Sequence, residues 1–251
     1  MTRAGAIRPL TIQLAAIVLF FGAWAVITQS GAINPLFLPA PLAVWNAVVR
    51  LIGSGTLWTA AGVTILTVAQ AYAIAVVTGI AAGFFIGRSR RLTEAFEPVL
   101  SGIFAIPIVL FFPLFTVFFG IGPASKVAFG AVIGFFPIAL NTIAGFGGVD
   151  ALLLRSARSL GASRWQTFRH VYLPGALPVV VTGLRIGFFL AFASVLGGET
   201  LSSASGVGHA IARAGELLEG ARMYAWIVFV LATTLVLNVA VSFLEARAQR
   251  G

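Results

Sequence analysis

Residues 150–178 read DALLLRSARSLGASRWQTFRHVYLPGALP and form the longest interruption in a chain that is otherwise almost continuously apolar. The stretch carries Arg155, Arg158, Arg164, Arg169 and His170. Membrane proteins keep loops with this many cations on the cytoplasmic side of the bilayer. We therefore predict a cytoplasmic loop between two membrane spans. A basic loop that only fixes the topology is the alternative interpretation.

The local pattern of this loop is helix, break, helix. Asp150 is placed to cap a first helix over residues 151–160, and Gly161 suits a left-handed turn after it. Ser163, followed three residues later by Gln166, predicts a capping box at the start of a second short helix. The next hydrophobic run begins at Leu173–Pro174, where proline is tolerated in a first helical turn.

The composition excludes a soluble protein. Hydrophobic residues make up 59% of the chain and charged residues 9%, against roughly 25% charged in ordinary globular proteins. The net charge of +9 resides in short loops between apolar runs, which indicates topology signals and not a nucleic-acid surface. There is no cysteine, and His170 and His209 stand far apart, so neither a disulfide nor a metal centre is expected.

We predict an all-α polytopic membrane protein with a single transmembrane domain over residues 1–251. Its six transmembrane helices are expected at about 10–28, 59–86, 95–119, 127–146, 175–198 and 223–244. The first is expected to be a retained helix and not a signal peptide. The short run 42–52 is predicted to lie at the outer interface, where Trp45 and Trp58 are favourable.

Small residues and prolines mark individual spans. Gly79, Gly83 and Gly87 recur at four-residue spacing, which indicates a helix face that another helix approaches closely. The third span contains Pro98, Pro107 and Pro113, which bend it either for packing or as part of a moving gate.

Cation distribution sets the orientation. With both termini inside, the cytoplasmic segments hold Arg3, Arg8, Arg88, Arg90, Arg91, Arg155, Arg158, Arg164, Arg169, Arg247 and Arg250. The outer segments hold Arg50, Lys126, Arg213 and Arg222. The positive-inside rule therefore predicts cytoplasmic termini. Arg185 lies within the fifth span and is expected to face the protein interior or to snorkel toward the cytoplasm.

Several polar residues interrupt the apolar spans and are candidates for a translocation path. They are Gln70, Asn141, Thr142, Ser194 and Glu199. The competing interpretation is that each bonds to a carbonyl of a neighbouring helix. Glu199 and the following SSASGVG segment are expected to shape an outer gate, and a mostly uncharged path in net-positive surroundings suits a small anion.

The loop resembles the EAA loop of ABC-importer permeases, whose pattern is Glu-Ala-Ala, three residues, Gly, nine residues, Ile, one residue, Leu-Pro. The matching positions in this chain are Arg155, Ser156, Ala157, Gly161, Val171, Leu173 and Pro174, with Ala162 and Ser163 following the glycine. Arginine replaces the family's glutamate, so a salt bridge assigned to that glutamate is not carried over to Arg155. The motifs FLPAP, GRSRRL, FGIGPASK, TGLRIG and SGVGHAI further resemble the nitrate, sulfonate, taurine and bicarbonate branch of these permeases.

The resemblance implies a type I ABC importer permease fold in which residues 150–174 are the cytoplasmic coupling element. It implies a homodimer of permeases, two ABC ATPases that bind ATP and Mg²⁺, and an extracytoplasmic solute-binding protein. The location would be a bacterial or archaeal cytoplasmic membrane. Apolar side chains of the loop, including Leu152, Leu160, Trp165 and Phe168, would enter a groove of the ATPase, with the arginines at the rim.

No Walker motif occurs, so we expect a transporter subunit without its own ATPase, cofactor or metal. The expected function is import of a small solute such as nitrate, a sulfonate, taurine or bicarbonate. One alternative is a permease of the same superfamily for an unrelated organic solute. A self-sufficient carrier or channel would need an acidic ion site within the spans, and a membrane enzyme would need a nucleophile–base pair or metal cluster there.

Overall fold

The computed structural model describes residues 9–248, including the side chains of residues 11–239 and 242–243. Four of the cations that predict the orientation, Arg3, Arg8, Arg250 and the side chain of Arg247, lie outside this part. The α-helices of the described chain are α1 (Pro9–Gln29), α2 (Pro41–Gly53), α3 (Thr56–Gly87), α4 (Arg90–Ala105), α5 (Phe112–Phe119), α6 (Pro123–Gly147), α7 (Ala151–Ser159), α8 (Arg164–Thr167), α9 (Leu173–Leu201), α10 (Val207–Glu216) and α11 (Gly220–Ala248). A 3₁₀ turn at Ile108–Phe111 precedes α5, and a π-helix at Phe168–Tyr172 joins α8 to α9.

Five helices of the described chain are long and apolar enough to cross a membrane. A sixth span is formed if α4 and the segment Ile108–Phe119 are counted together, although they are bent by 73° at their junction. The described residues contain no strand. This architecture confirms the predicted all-α fold with up to six spans.

The bend in the third span has a local cause. Pro98 lies inside α4 without ending it, whereas α4 ends before Pro107. Ile106, the residue that precedes Pro107, has φ −72° and ψ 135°, because a proline ring disfavours helical geometry in the residue before it. Of the prolines noted in the sequence, Pro107 therefore breaks the span.

The described chain divides into two compact units. The first contains residues up to Thr59 together with Ala210–Thr233. Within it, the indole nitrogen of Trp24 donates to the Pro39 carbonyl at 3.0 Å, and the Tyr224 hydroxyl donates to the Phe37 carbonyl at 3.1 Å. These bonds hold the irregular segment between α1 and α2 against two helices of the same unit.

The second unit contains Ala60–His209 and the residues from Thr234 onward, and its centre is built on α3, α6 and α9. The predicted close approach along the glycine face of α3 is confirmed. A Cβ at Gly83 would lie 2.4 Å from the Cβ of Thr142 on α6, so no side chain fits between these helices. Helix α6 also packs extensively against α9.

Candidate functional site

The loop between α6 and α9 begins with a capped helix. The Asp150 carboxylate accepts a hydrogen bond from the Leu152 amide at 2.7 Å, which satisfies one of the free donors at the start of α7. At the other end, the amides of Gly161 and Ala162 donate to the carbonyls of Arg158 and Ala157, both at 3.0 Å. This pair of bonds is a Schellman motif. Gly161 has φ +77° in it, as the sequence predicts.

The second helix of the loop begins with the predicted capping box. The Ser163 amide donates to the Gln166 side chain at 2.8 Å, and the Gln166 amide donates to the Ser163 hydroxyl at 3.2 Å. These two reciprocal bonds fix the start of α8 at Arg164.

The end of this second helix differs from the expected boundary at Leu173–Pro174. The helix runs without a break from Arg164 to Leu201, a distance of 38 residues, through the π-helix at Phe168–Tyr172. Within the π-helix the Leu173 amide donates to the Phe168 carbonyl, five residues back. Pro174 has no amide hydrogen to donate, and its ring would clash with the preceding turn of a regular α-helix. The wider π-turn just before it makes room for the ring, so the helix continues through the proline.

The loop presents apolar side chains to its surroundings. Leu152, Leu153, Trp165 and Leu160 are exposed, Leu160 to 87%. Phe168 belongs to this surface only in part, because its half-buried ring stacks on Trp165 at 5.8 Å and also packs against Phe84 of α3 at 5.8 Å. Phe168 on the π-helix thus connects the loop surface to the spans, and the wider turn that positions it is not visible in the sequence.

The positions that match the EAA pattern lie along this loop surface. Arg155 is exposed on α7, and its Nε donates to the Ala151 carbonyl of the preceding turn at 3.3 Å. Ser156 is exposed and Ala157 half-buried, while Val171 is half-buried on the π-helix. Leu173 and Pro174 are exposed at the start of α9. Arg158 and Arg164 line a cavity of about 570 Å³ with Ala162, Thr167 and Tyr172.

The candidate path residues are dispersed. Asn141, Thr142 and Ser194 each donate to the carbonyl four residues earlier in their own helix, at 2.8, 2.6 and 2.6 Å. Thr142 is buried at the contact with Gly83, whereas Gln70 is exposed on α3. The bonds therefore go to their own helices and not to neighbouring ones. The structure does not bring these four residues together.

Glu199, the remaining path candidate, lies in a buried polar cluster. Its side chain is 2% exposed, and the Thr64 hydroxyl donates to its two oxygens at 2.9 and 3.0 Å. The Gly208 amide donates to Oε2 at 2.9 Å, and the Val207 amide donates to the Thr64 hydroxyl at 2.8 Å. We call Thr64, Lys126, Glu199, Val207 and Gly208 the Glu199 cluster. It joins the start of α10 to α3 and to the end of α9.

A glycine in the SGVG segment makes room for this carboxylate. Gly206 has φ +100°, and a Cβ there would lie 2.3 Å from the Glu199 carboxyl group. A side chain at this position is therefore excluded by both the backbone conformation and the space. The segment that the sequence associates with an outer gate is tied to a buried acid.

Lys126 is the cluster member whose burial the sequence analysis did not predict. The charge pattern counts it among the outer-segment cations, and the structure places it in the first turn of α6 with 1% exposure. Its ammonium group donates to the carbonyls of Ile121 and Gly122 and is attracted by the Glu199 carboxylate. A cation in a first helical turn is electrostatically unfavourable, and this is the sequence signal for a special partner. Thr64 carries no comparable signal.

Arg185, the cation within the fifth span, is paired inside its unit. Its Nη2 donates to Oδ1 of Asn238 on α11 at 2.8 Å. This contact agrees with the expectation that an intramembrane arginine faces protein. Within residues 9–248, no group of three or more His, Asp or Glu side chains is arranged to hold a metal ion.

Comparisons with known proteins agree with the fold. Residues 75–250 match the family of binding-protein-dependent transport system inner membrane components. The taurine transport system permease protein TauC of Escherichia coli K12 is 30% identical over 245 residues, which cover 96% of this chain and 89% of TauC. The riboflavin transport system permease protein RibX of Chloroflexus aurantiacus is 32% identical, covering 87% of this chain and 81% of RibX.

Among solved structures, the chain resembles one from the MetNI methionine ABC transporter in an inward-facing conformation. The TM-score is 0.59 at 22% identity, covering 75% of this chain and 92% of that chain. At this identity the likeness concerns the fold alone. It confirms the predicted importer-permease fold.

Proposed function

Because the chain belongs to the binding-protein-dependent transport system inner membrane component family, we propose that it moves a small solute inward and is powered by a separate ATPase bound at residues 150–174. The observation that carries this proposal is the continuous helix from Arg164 to Leu201. A stiff helix that begins in an exposed loop and continues as a membrane span is a direct physical connection between a soluble motor and the transport path.

The surface chemistry of the loop supports an ATPase partner. Its exposed leucines and Trp165 offer apolar area, and its exposed arginines surround that area. An apolar centre with a charged rim is typical of protein interfaces. In this proposal the partner binds ATP and Mg²⁺ and carries out ATP hydrolysis, and no step of the hydrolysis is assigned to this chain.

The proposed assembly contains two copies of this permease, two ATPases and an external solute-binding protein. The excess of arginines in the loop and in the turn after α3 supports an orientation with residues 150–174 and both termini in the cytoplasm. The membrane in this proposal is the cytoplasmic membrane of a bacterium or archaeon.

For the solute, we propose a small anion such as a sulfonate, taurine, nitrate or bicarbonate. The similarity to a taurine permease over nearly the whole chain supports it. The alternative is an unrelated organic solute, which the comparable similarity to a riboflavin permease supports. Purifying the solute-binding protein that associates with this permease, and measuring its affinity for taurine and riboflavin, distinguishes the two.

Crosslinking tests the coupling proposal. A Ser163→Cys variant carrying a photo-crosslinker is expected to capture an ABC ATPase in cells, because Ser163 is exposed beside the apolar loop surface. Ser205→Cys is the matched control, since Ser205 is also exposed but lies in the SGVG segment beyond the other end of α9. Equal ATPase capture from both positions, or capture from neither, would contradict the assignment of residues 150–174 as the coupling element.

A further inference from the structure

The turn between α10 and α11 contains a leucine in a conformation that leucine rarely adopts. Leu218 has φ +55°, and it is the one non-glycine residue with a positive φ in the described part of the chain. The Leu218 amide donates to the Gly215 carbonyl at 3.0 Å, and the Glu219 amide donates to the Ala214 carbonyl at 2.9 Å. These two bonds form a Schellman motif, whose left-handed position is usually occupied by glycine or asparagine. A leucine there strains the backbone.

The side chain of Leu218 contributes little to the packing of the fold. It is 63% exposed, and the neighbouring Leu217 is 50% exposed. A glycine would allow both bonds of the Schellman motif without the strain. The fold therefore gives no reason for a leucine at this position, and strained residues that persist are concentrated at functional sites. We call Leu217 and Leu218 the leucine tip.

Ion pairs stand on both sides of the leucine tip. Before it in the chain, Arg213 and Glu216 pair at 3.8 Å. After it, Arg222 and Glu219 pair at 2.9 Å. Each acid has a basic partner, so the two ion pairs carry no net charge. An apolar centre with a polar rim is typical of a protein–protein interface.

The flanking acids decide what can cover the leucine tip. Glu216 and Glu219 adjoin the two leucines directly in the chain. Entry of the tip into lipid hydrocarbon would therefore bury two carboxylates, which is costly. A negatively charged lipid surface would repel the same carboxylates and find no net positive charge to bind. A soluble protein with an apolar pocket and a polar rim fits the tip, because it covers the leucines and leaves the ion pairs at the water boundary.

We propose that the leucine tip inserts into an apolar pocket of the solute-binding protein, an inference that rests on the function and orientation proposed above. Helix α10 follows the end of α9, and with 10 residues it is too short to cross a membrane. The tip is therefore on the side of the membrane opposite to the ATPase, where the solute-binding protein approaches. The Schellman motif fixes the backbone at Leu218 before the two proteins meet, which reduces the ordering that binding requires.

Leu218→Gly separates a docking role from a structural one, because its two effects have opposite signs. Removing the strain is expected to raise the Tm of the full-length chain in detergent by about 2–4 °C. Removing the side chain is expected to weaken the binding of the purified solute-binding protein to the permease–ATPase complex in nanodiscs by about tenfold. Leu218→Asn should have the same two effects, since asparagine also accepts the left-handed conformation.

Leu201→Asn is the matched control for the asparagine variant. Leu201 is 61% exposed, close to the exposure of Leu218, and it ends α9 on the same side of the membrane in the proposed orientation. This variant should bind the solute-binding protein as tightly as the wild type does. An equal loss of affinity in the Leu201 and Leu218 variants would refute a specific role for the leucine tip.

The remaining outcomes distinguish this inference from the proposed function. Wild-type affinity in both Leu218 variants would refute the docking role and leave the proposed function in place. A lower Tm in both variants would show that the leucine stabilises the fold and would also refute it. Photo-crosslinks from position 218 in cells should reach the solute-binding protein, and crosslinks only to lipid or to a second permease copy would overturn the inference. A wild-type complex that binds no solute-binding protein would overturn the proposed function and this inference with it.

Discussion

A carboxylate with 2% exposure in an apolar protein is stable only with several donors around it. Glu199 has the Thr64 hydroxyl and the Gly208 amide within hydrogen-bond distance, and the charge of Lys126 nearby. Thr64 has a double role, because its hydroxyl donates to Glu199 and accepts from the Val207 amide. Removing this one hydroxyl leaves a buried acid and a buried amide each short of a partner.

Thr64→Val should therefore destabilise the second unit by about 1–3 kcal/mol, the usual cost of buried polar groups left without partners. Thr64→Ser, which keeps the hydroxyl, should stay close to the wild type. Thermal unfolding in detergent measures the stability. Hydrogen exchange at the Val207 amide locates the change, and unchanged exchange in the valine variant would show that the bond is unimportant in solution.

At the scale of elements, the loop proposed for coupling consists of two capped helices joined by Gly161 and Ala162. Gly161 has φ +77°, and no heavy atom lies within 4 Å of the place that a Cβ would take. A side chain at this position would therefore have room, but it would strain the backbone. The angle between α7 and α8 therefore depends on backbone geometry at one residue.

Gly161→Asp should lower ATP-driven uptake several-fold while membrane insertion and protein level stay normal. The physical reason is that a non-glycine residue disfavours the left-handed turn by about 1 kcal/mol, and the new carboxylate adds a charge to the exposed turn. Uptake by proteoliposomes that contain the partner ATPase measures the effect.

Gly102→Ala is the control for this experiment. Gly102 also has open space around it, but its backbone is that of a regular helix within α4. Its uptake should match that of the wild type, and Gly161→Ala should fall between the two. Normal uptake in both Gly161 variants would remove the turn from the coupling mechanism.

For the whole molecule, the main prediction concerns orientation. In intact cells, a membrane-impermeant maleimide should label Ser205→Cys, and it should label Ser163→Cys only after the membrane is opened. Both side chains are exposed, so accessibility within the protein does not decide the result. The reverse pattern would invert the proposed topology.

Features that depend on a few neighbouring residues were predictable from the sequence. Asp150, Gly161 and the Ser163–Gln166 pair each act through bonds to backbone groups no more than five residues away. Glu199 was recognisable as a candidate, but its partner Thr64 is 135 residues distant in the chain. Such a pairing is created by the packing of α3 and α9, and no local pattern indicates it.

The helix that continues from Arg164 to Leu201 has a mechanical consequence. At 1.5 Å per residue, its 38 residues span about 57 Å. A tilt of about 5° at one end of a rod of that length moves the other end by about 5 Å, close to one helical turn. The basic loop and the buried Glu199 thus lie toward opposite ends of a single helix. In the proposed mechanism, a small angular change at the ATPase-bound loop is amplified into a large displacement at Glu199.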